Sequence, residues 1–183
     1  MTIPILLAAA ALAALSLSVT ARAELPQGAV APDFSTQGAI AGKPFAFKLR
    51  QALRKGPVVL YFYPKAFTQG CTLEAHAFAE ATDDFRKSGA SVIGMSADDM
   101  PALLKFSREA CRDKFAVAIA SPAVIKAYDV DLRREGVSTG LTTRTSYVIA
   151  RDGRIRMVHS DMDYRDHVRL TLEAVKALGK KRR

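Results

Sequence analysis

The sequence predicts an α/β domain: a central mixed β-sheet with helices on both faces. Three observations predict it. Strand-like and helix-like segments alternate through the middle of the chain, the order that builds a parallel sheet flanked by helices. "PVVLYFYP" (57–64) is an unbroken run of β-branched and aromatic residues, the composition of a strand covered on both faces. "TSYVIARDGRIRMVHS" (145–160) alternates around Asp152-Gly153, which reads as an antiparallel hairpin and makes the sheet mixed.

Taken in order, residues 1–23 stand apart. "IPILLAAAALAALSLSV" carries no charge and leads into Ala21-Arg22-Ala23, the small-x-small pattern of a secretory signal cleaved after Ala23. No Lys or Arg precedes the apolar run, and an uncleaved anchor is the alternative. Cleavage leaves 160 residues, enough for one domain with its own core. That domain is expected over 24–178, with 179–183 as a frayed basic tail. The implied location is periplasmic or secreted, with no stable membrane association after cleavage. "ELPQGAVAPDFST" is a lead-in, and "FAFKLRQAL" a short strand or turn. After the strand at 57–64, the period changes: Leu73, Ala77, Phe78, Ala81 and Phe85 fall on one helical face, and Ser88-Gly89 closes the helix. "SVIGMSA" is a second buried strand, joined to the first by a parallel crossover. "MPALLKFSREACRDKF" reads as a helix with Pro101 in its first turn. "AVAIAS" is a third strand, "PAVIKAYDV" a short helix, and "YRDHVRLTLEAVKAL" a closing amphipathic helix.

Net charge is +9, and four basic residues sit in the terminal "GKKRR". No nucleic-acid motif accompanies them and no aromatics interleave with them, so a solvated basic surface is the expectation and nucleic acid is not an expected partner. His76, His159 and His167 are too scattered for a metal-ligand pattern and are expected at the surface. Cys71 and His76 lie on different faces of one helix, which removes a hydrolase dyad. Asp98-Asp99 introduces the helix that follows. No cofactor is called for.

The chain has two cysteines, Cys71 and Cys111. A cysteine in the first turn of a helix faces unpaired backbone N–H groups and the positive end of the helix dipole, features that favour thiolate over thiol. The turn also follows a central strand, where open α/β sheets place their sites. Thr68 can turn its hydroxyl toward the sulfur or toward an oxygen-bearing substrate; taken alone, it reads as a helix cap. Gly70 admits close approach of a ligand to the backbone. Pro64 suits a shield for the sulfur; taken alone, it is a strand stop.

Pro64-x-x-x-Thr68-x-x-Cys71 resembles the P-x-x-x-T/S-x-x-C signature of peroxiredoxins. "GCTLEA" is similar to the stretch around the reactive cysteine of the Q-type, bacterioferritin-comigratory-protein-like group. "APDF", "VVLYFYP" and "TTRTSYVIARDGRI" extend the resemblance over 29–178. It implies a thioredoxin-like fold and a thiol-dependent peroxidase acting on hydrogen peroxide and organic hydroperoxides. Cys71 takes the place of the peroxidatic cysteine, Pro64 and Thr68 its motif partners, and Arg144 the active-site arginine; without the family, Arg144 reads as an exposed strand-end residue. Gln69 stands where the family often has Pro, and His76 where some Q-type members have a resolving cysteine. Resolution within the chain then falls to Cys111, in the second crossover helix, with local unwinding during the cycle and a thioredoxin-like or other dithiol reductant to reset the pair. The alternative for Cys111 is a passive thiol, with another subunit or a small thiol resolving. A monomer or weak dimer is expected. Rival readings are a thiol–disulfide oxidoreductase of the same fold, disfavoured because the C-x-x-C partner position holds Thr68, and a non-enzymatic exported domain with one structural bridge.

Overall fold

The computed structural model describes residues 24–180, so the proposed signal at 1–23 lies outside the described residues, as do the last three of the basic tail. In chain order the elements are β1 (Ser35–Ile40), β2 (Lys43–Lys48), α1 (Leu49–Lys55), β3 (Val58–Phe62), α2 (Gln69–Lys87), β4 (Ser91–Ser96), α3 (Met100–Glu109), β5 (Ala116–Ile119), α4 (Pro122–Ala127), β6 (Asp131–Arg134), β7 (Val137–Thr142), β8 (Thr145–Ile149), β9 (Ile155–Ser160) and α5 (His167–Lys180). Seven strands form one sheet in the order β2-β1-β5-β4-β3-β8-β9, and β6 and β7 form a separate ribbon. β3, β4 and β5 run parallel, whereas β8 opposes β3 and β1 opposes β5. This is the predicted mixed α/β sheet.

Its centre is β3, buried at every position. Side chains alternate across a strand, and those of β3 divide accordingly. Val59 and Tyr61 join the core under α2, α3 and α5. Val58, Leu60 and Phe62 join the opposite core under α1 and α4. The unbroken apolar run therefore reflects two covered faces, with helices on both.

Several expectations need correction. β1, which starts at the end of the lead-in and runs beyond it, pairs antiparallel with β2 at the sheet edge; their alternation is masked by Pro44 and by Gly38 and Gly42. "FAFKLRQAL" divides into the end of β2 and helix α1. The β6–β7 ribbon is absent from the sequence reading, since most of its side chains are exposed and leave no apolar period. On α2 the buried face is Cys71, Glu74, Ala75, Phe78, Ala79, Thr82 and Phe85, while Leu73 is 41% exposed. The helix is rotated from the orientation its leucine suggests because its N-terminus must turn Cys71 and Glu74 inward. α5 continues through Gly179 and Lys180, so the helix takes up part of the expected tail.

Candidate active site

Three short segments converge on Cys71. The first is the turn that leaves β3. Tyr63 N–H donates to Met95 O at 3.0 Å, extending the β3–β4 pairing by one residue. Half-buried Pro64 then ends the strand. Ala66 N–H donates to the Asp98 carboxylate at 2.7 Å, and Ser96 Oγ holds that carboxylate at 2.8 Å. Asp98 thus fastens the turn to the end of β4, while Asp99 caps α3 through Ala102 N–H. Phe67 has φ of +64° and lays its ring edge-on against Phe106 of α3, with centroids 5.2 Å apart.

Thr68 stands at the N-cap of α2 without capping it: its hydroxyl donates to Lys65 O at 3.0 Å. The sulfur of Cys71 follows in the first turn of the helix, and the residue is only 1% exposed. The clefts at 560 and 670 Å³ lie elsewhere, one beside α3 and one between α1 and β4. Beside the sulfur, the short turn 65–70 is exposed at residues 67–69.

The second segment carries Arg144, between β7 and β8. It is not the exposed strand-end residue that a reading of the residues alone favours; it is 5% exposed. Each of its three nitrogens donates. Nη2 donates to Cys71 Sγ at 3.5 Å, Nε donates to Met162 O at 2.9 Å, and Nη1 is bonded to Glu74 Oε2. A Cβ at Gly70 would approach Arg144 Nη2 to 3.2 Å, so the small residue keeps the approach to the guanidinium open. Burial works against the charge on Arg144, but Glu74 and Cys71 outweigh it and hold the group above its ordinary range. An always-charged, planar, multi-donor group is the side chain suited to span two acceptors in this way.

The third segment is the start of α5. His167 is fully buried, contrary to the expected surface position. It shares a 2.8 Å hydrogen bond with Ser146 Oγ, and its Nε2 lies 2.9 Å from Asp161 O. Its Nδ1 is 3.9 Å from Glu74 Oε1. Burial lowers its proton affinity, to a pKa of about 4. Burial pushes the Glu74 carboxyl the other way, up to about 8, against the pull of Arg144. Sequence reading missed both residues. Glu74 left a signal, since it lies three positions after Cys71 and so shares its helical face. His167 left none, because only the docking of α5 beside α2 brings it there.

Cys111 is also placed differently from expectation. α3 ends at Glu109, and Cys111 follows the C-cap Ala110 in a turn that continues through Arg112 and Asp113, with φ of +51° and +59°. Its N–H still bonds Phe106 O at 3.0 Å. Cys111 is completely buried in the same apolar core as Cys71, and both thiols are free. Burial, reinforced by the Asp113 carboxylate, pushes its thiol well above the usual range.

Residues 27–158 match the AhpC/TSA family model. The chain belongs to the AhpC/TSA family. Relatives within the family include peroxiredoxins Q, in keeping with the signature around Cys71. It is 31% identical over 156 residues to the chloroplastic peroxiredoxin Q of Arabidopsis thaliana, covering 85% of this chain and 69% of that one. It is 33% identical over 123 residues to that of Suaeda salsa, covering 67% of this chain and 56% of that one, so the chain spans little more than half the length of this relative. Among solved structures, peroxidoxin BcpB of Mycobacterium tuberculosis superposes with a TM-score of 0.73 at 29% identity, covering 83% of this chain and 97% of that one. A peroxiredoxin Q of Xanthomonas campestris superposes with 0.68 at 25% identity, covering 78% and 90%. The family's thioredoxin-like fold is the one described above.

Proposed function

We propose that the protein is a thiol peroxidase in which Cys71 reduces hydrogen peroxide and organic hydroperoxides. The observation that carries this reading is the hydrogen bond from Arg144 to the sulfur of a cysteine in the first turn of α2. The Cys71 thiolate attacks the distal peroxide oxygen. An S–O bond forms, the O–O bond breaks, sulfur is oxidised to sulfenic acid, and the displaced oxygen leaves with the electron pair as hydroxide or alkoxide and takes up a proton. Charge therefore moves from sulfur to the departing oxygen. Arg144, the backbone N–H groups at Gly70 and Cys71, and the Thr68 hydroxyl, after rotation away from Lys65 O, are the donors that follow it. Pro64 shields the site from water.

Cys111 then attacks the Cys71 sulfenic acid, forming a disulfide and releasing water; a dithiol reductant reduces the disulfide and is itself oxidised. Cys111 is buried as a protonated thiol, so the segment 110–114 must leave the core first. Support comes from its place just beyond the end of α3. The opening breaks the last hydrogen bonds at Phe106 O and releases Arg112 and Asp113 from a left-handed backbone that costs non-glycine residues roughly 1 kcal/mol or more each. We further propose export directed by residues 1–23 and a monomeric or weakly dimeric mature form, which the N-terminal sequence and the solution mass of the protein isolated from its source would check.

The direct test is to add one equivalent of hydrogen peroxide to the reduced protein, quench, and map the products. Rapid loss of two hydrogens with a 71–111 disulfide is expected. Unchanged thiols after exposure would reject the reading.

A further inference from the structure

The buried side of the Arg144 guanidinium opens onto polar groups that the peroxide chemistry above does not use. Glu74 accepts from Arg144 through Oε2, while its Oε1 is buried with no hydrogen-bond partner among the described residues. His167 Nδ1 lies 3.9 Å from it. The imidazole's protonation can be read from its bonds. Nε2 lies 2.9 Å from the Asp161 carbonyl, and a carbonyl oxygen only accepts, so Nε2 carries a hydrogen. In neutral imidazole Nδ1 is then the acceptor, and Ser146 Oγ, 2.8 Å away, donates to it. Nδ1, its lone pair taken by Ser146, has no hydrogen to offer Glu74. An ionised Glu74 would leave a charged oxygen buried without a donor, an arrangement of high cost.

We propose that His167 is a positioning residue which, by offering no donor to Glu74, keeps a proton on Glu74 Oε1 and so leaves the charge of Arg144 undivided for the sulfur of Cys71. The inference rests on the peroxidase reading only for its effect on rate. Arg144 bridges Cys71 and Glu74, so the two compete for one positive charge, and a protonated Glu74 withdraws from the competition while still accepting at Oε2. Burial and the neighbouring cations favour a neutral His167, against the pull of its hydrogen bond to the Asp161 carbonyl. Arg144, entering β8, and His159 of β9, whose ring centroid is 4.5 Å away, both oppose a second positive charge. The Asp161 carboxylate favours one weakly, but it is turned to the N–H of Asp163. On α5 itself Thr171 bonds the His167 carbonyl and leaves the ring alone. The direction in which burial moves Glu74 agrees with the bonding.

The test uses the full chain and two readouts. Carboxyl ¹³C and imidazole ¹⁵N resonances report the protonation of Glu74 and His167 without requiring turnover. A protonated Glu74 at neutral pH and a neutral, Nε2-protonated His167 are expected. Single-turnover oxidation of Cys71 by hydrogen peroxide is then followed against pH. The wild-type rate should fall on the alkaline side as Glu74 ionises, and Glu74→Gln should lack that fall. His167→Gln, which supplies an amide donor to Oε1, should move both the Glu74 titration and the alkaline fall at least tenfold in proton activity toward acid. Ser146→Ala, which removes the donor to Nδ1 and makes protonation of His167 easier, should move them in the same direction and serves if His167→Gln does not fold. An ordinary carboxylate titration for Glu74, an imidazolium at neutral pH, or variants that lose stability while keeping both wild-type profiles would overturn the proposal. Absence of peroxide oxidation at every pH would overturn the peroxidase reading instead, and the resonances would still decide the protonation.

Discussion

Cys71 and Cys111 lie in one apolar core and are equally hidden from solvent, yet different groups surround them. Cys71 has a guanidinium hydrogen-bonded to its sulfur and the start of a long helix beneath it. Cys111 follows the end of a helix, with an aspartate two residues on and hydrocarbon around it. Burial alone therefore does not set the reactivity of a thiol. The sign of the charge and the direction of the dipole beside it do. In the proposed cycle the first sulfur reacts from the folded state, and the second only after its segment leaves the core.

That contrast can be broken at either end. The largest effect is expected from exchanging the sulfurs for oxygen one at a time. Cys71→Ser should abolish peroxide consumption. Cys111→Ser should keep the first oxidation at its normal rate and accumulate oxidised Cys71, read by mass after quenching. Equal losses from the two variants would erase the distinction.

Next comes the cation. Arg144→Lys keeps one positive charge but cannot bond Cys71 Sγ, Glu74 and Met162 O together. The rate of Cys71 oxidation, measured by stopped flow, should fall by about 10²–10³, as for loss of a preorganised donor, and the Cys111 environment should be unchanged.

A smaller effect concerns stability against pH and involves only the Cys71 side. Burial lowers the pKa of His167 to about 4, so its contribution is complete above its ordinary range near ~6.5 and is lost as pH falls toward 4. Burial raises that of Glu74 to about 8, so its contribution is complete below the ordinary carboxylate range and is lost as pH rises toward 8. The two slopes oppose one another between ~4.5 and ~6.5. The unfolding free energy from denaturant titrations should therefore decline at both ends, by on the order of 2 kcal/mol or less each. Glu74→Gln should flatten the alkaline decline and His167→Gln the acid one.

The smallest effect is expected on the other sulfur. Asp113→Asn removes the charge that opposes ionisation of Cys111, and asparagine tolerates the left-handed backbone at that position. Disulfide closure after peroxide addition should speed up a few-fold, while the first oxidation step stays as it was.

Much of this was legible in the chain itself. The paired cores on either side of β3, the parallel crossover to β4, the β8–β9 hairpin at Asp152-Gly153 and the place of Cys71 at a helix start follow from local periodicity and composition. Those properties depend on neighbours in sequence, so they can be read along one strand or one helix. The motif residues Pro64, Thr68 and Cys71 belong to the same class. Residues far apart in sequence do not. Arg144 reaches Cys71 across 73 positions, and without the family likeness it would have been read as an exposed strand end. His167 meets Glu74 only because α5 packs beside α2, and a buried histidine looks no different in sequence from a surface one. The rotation of α2, the escape of Cys111 from α3 and the edge pairing of β1 with β2 were likewise decided by tertiary contacts. Which charges share a dry pocket is set by how distant elements dock, and no local pattern of side chains records it.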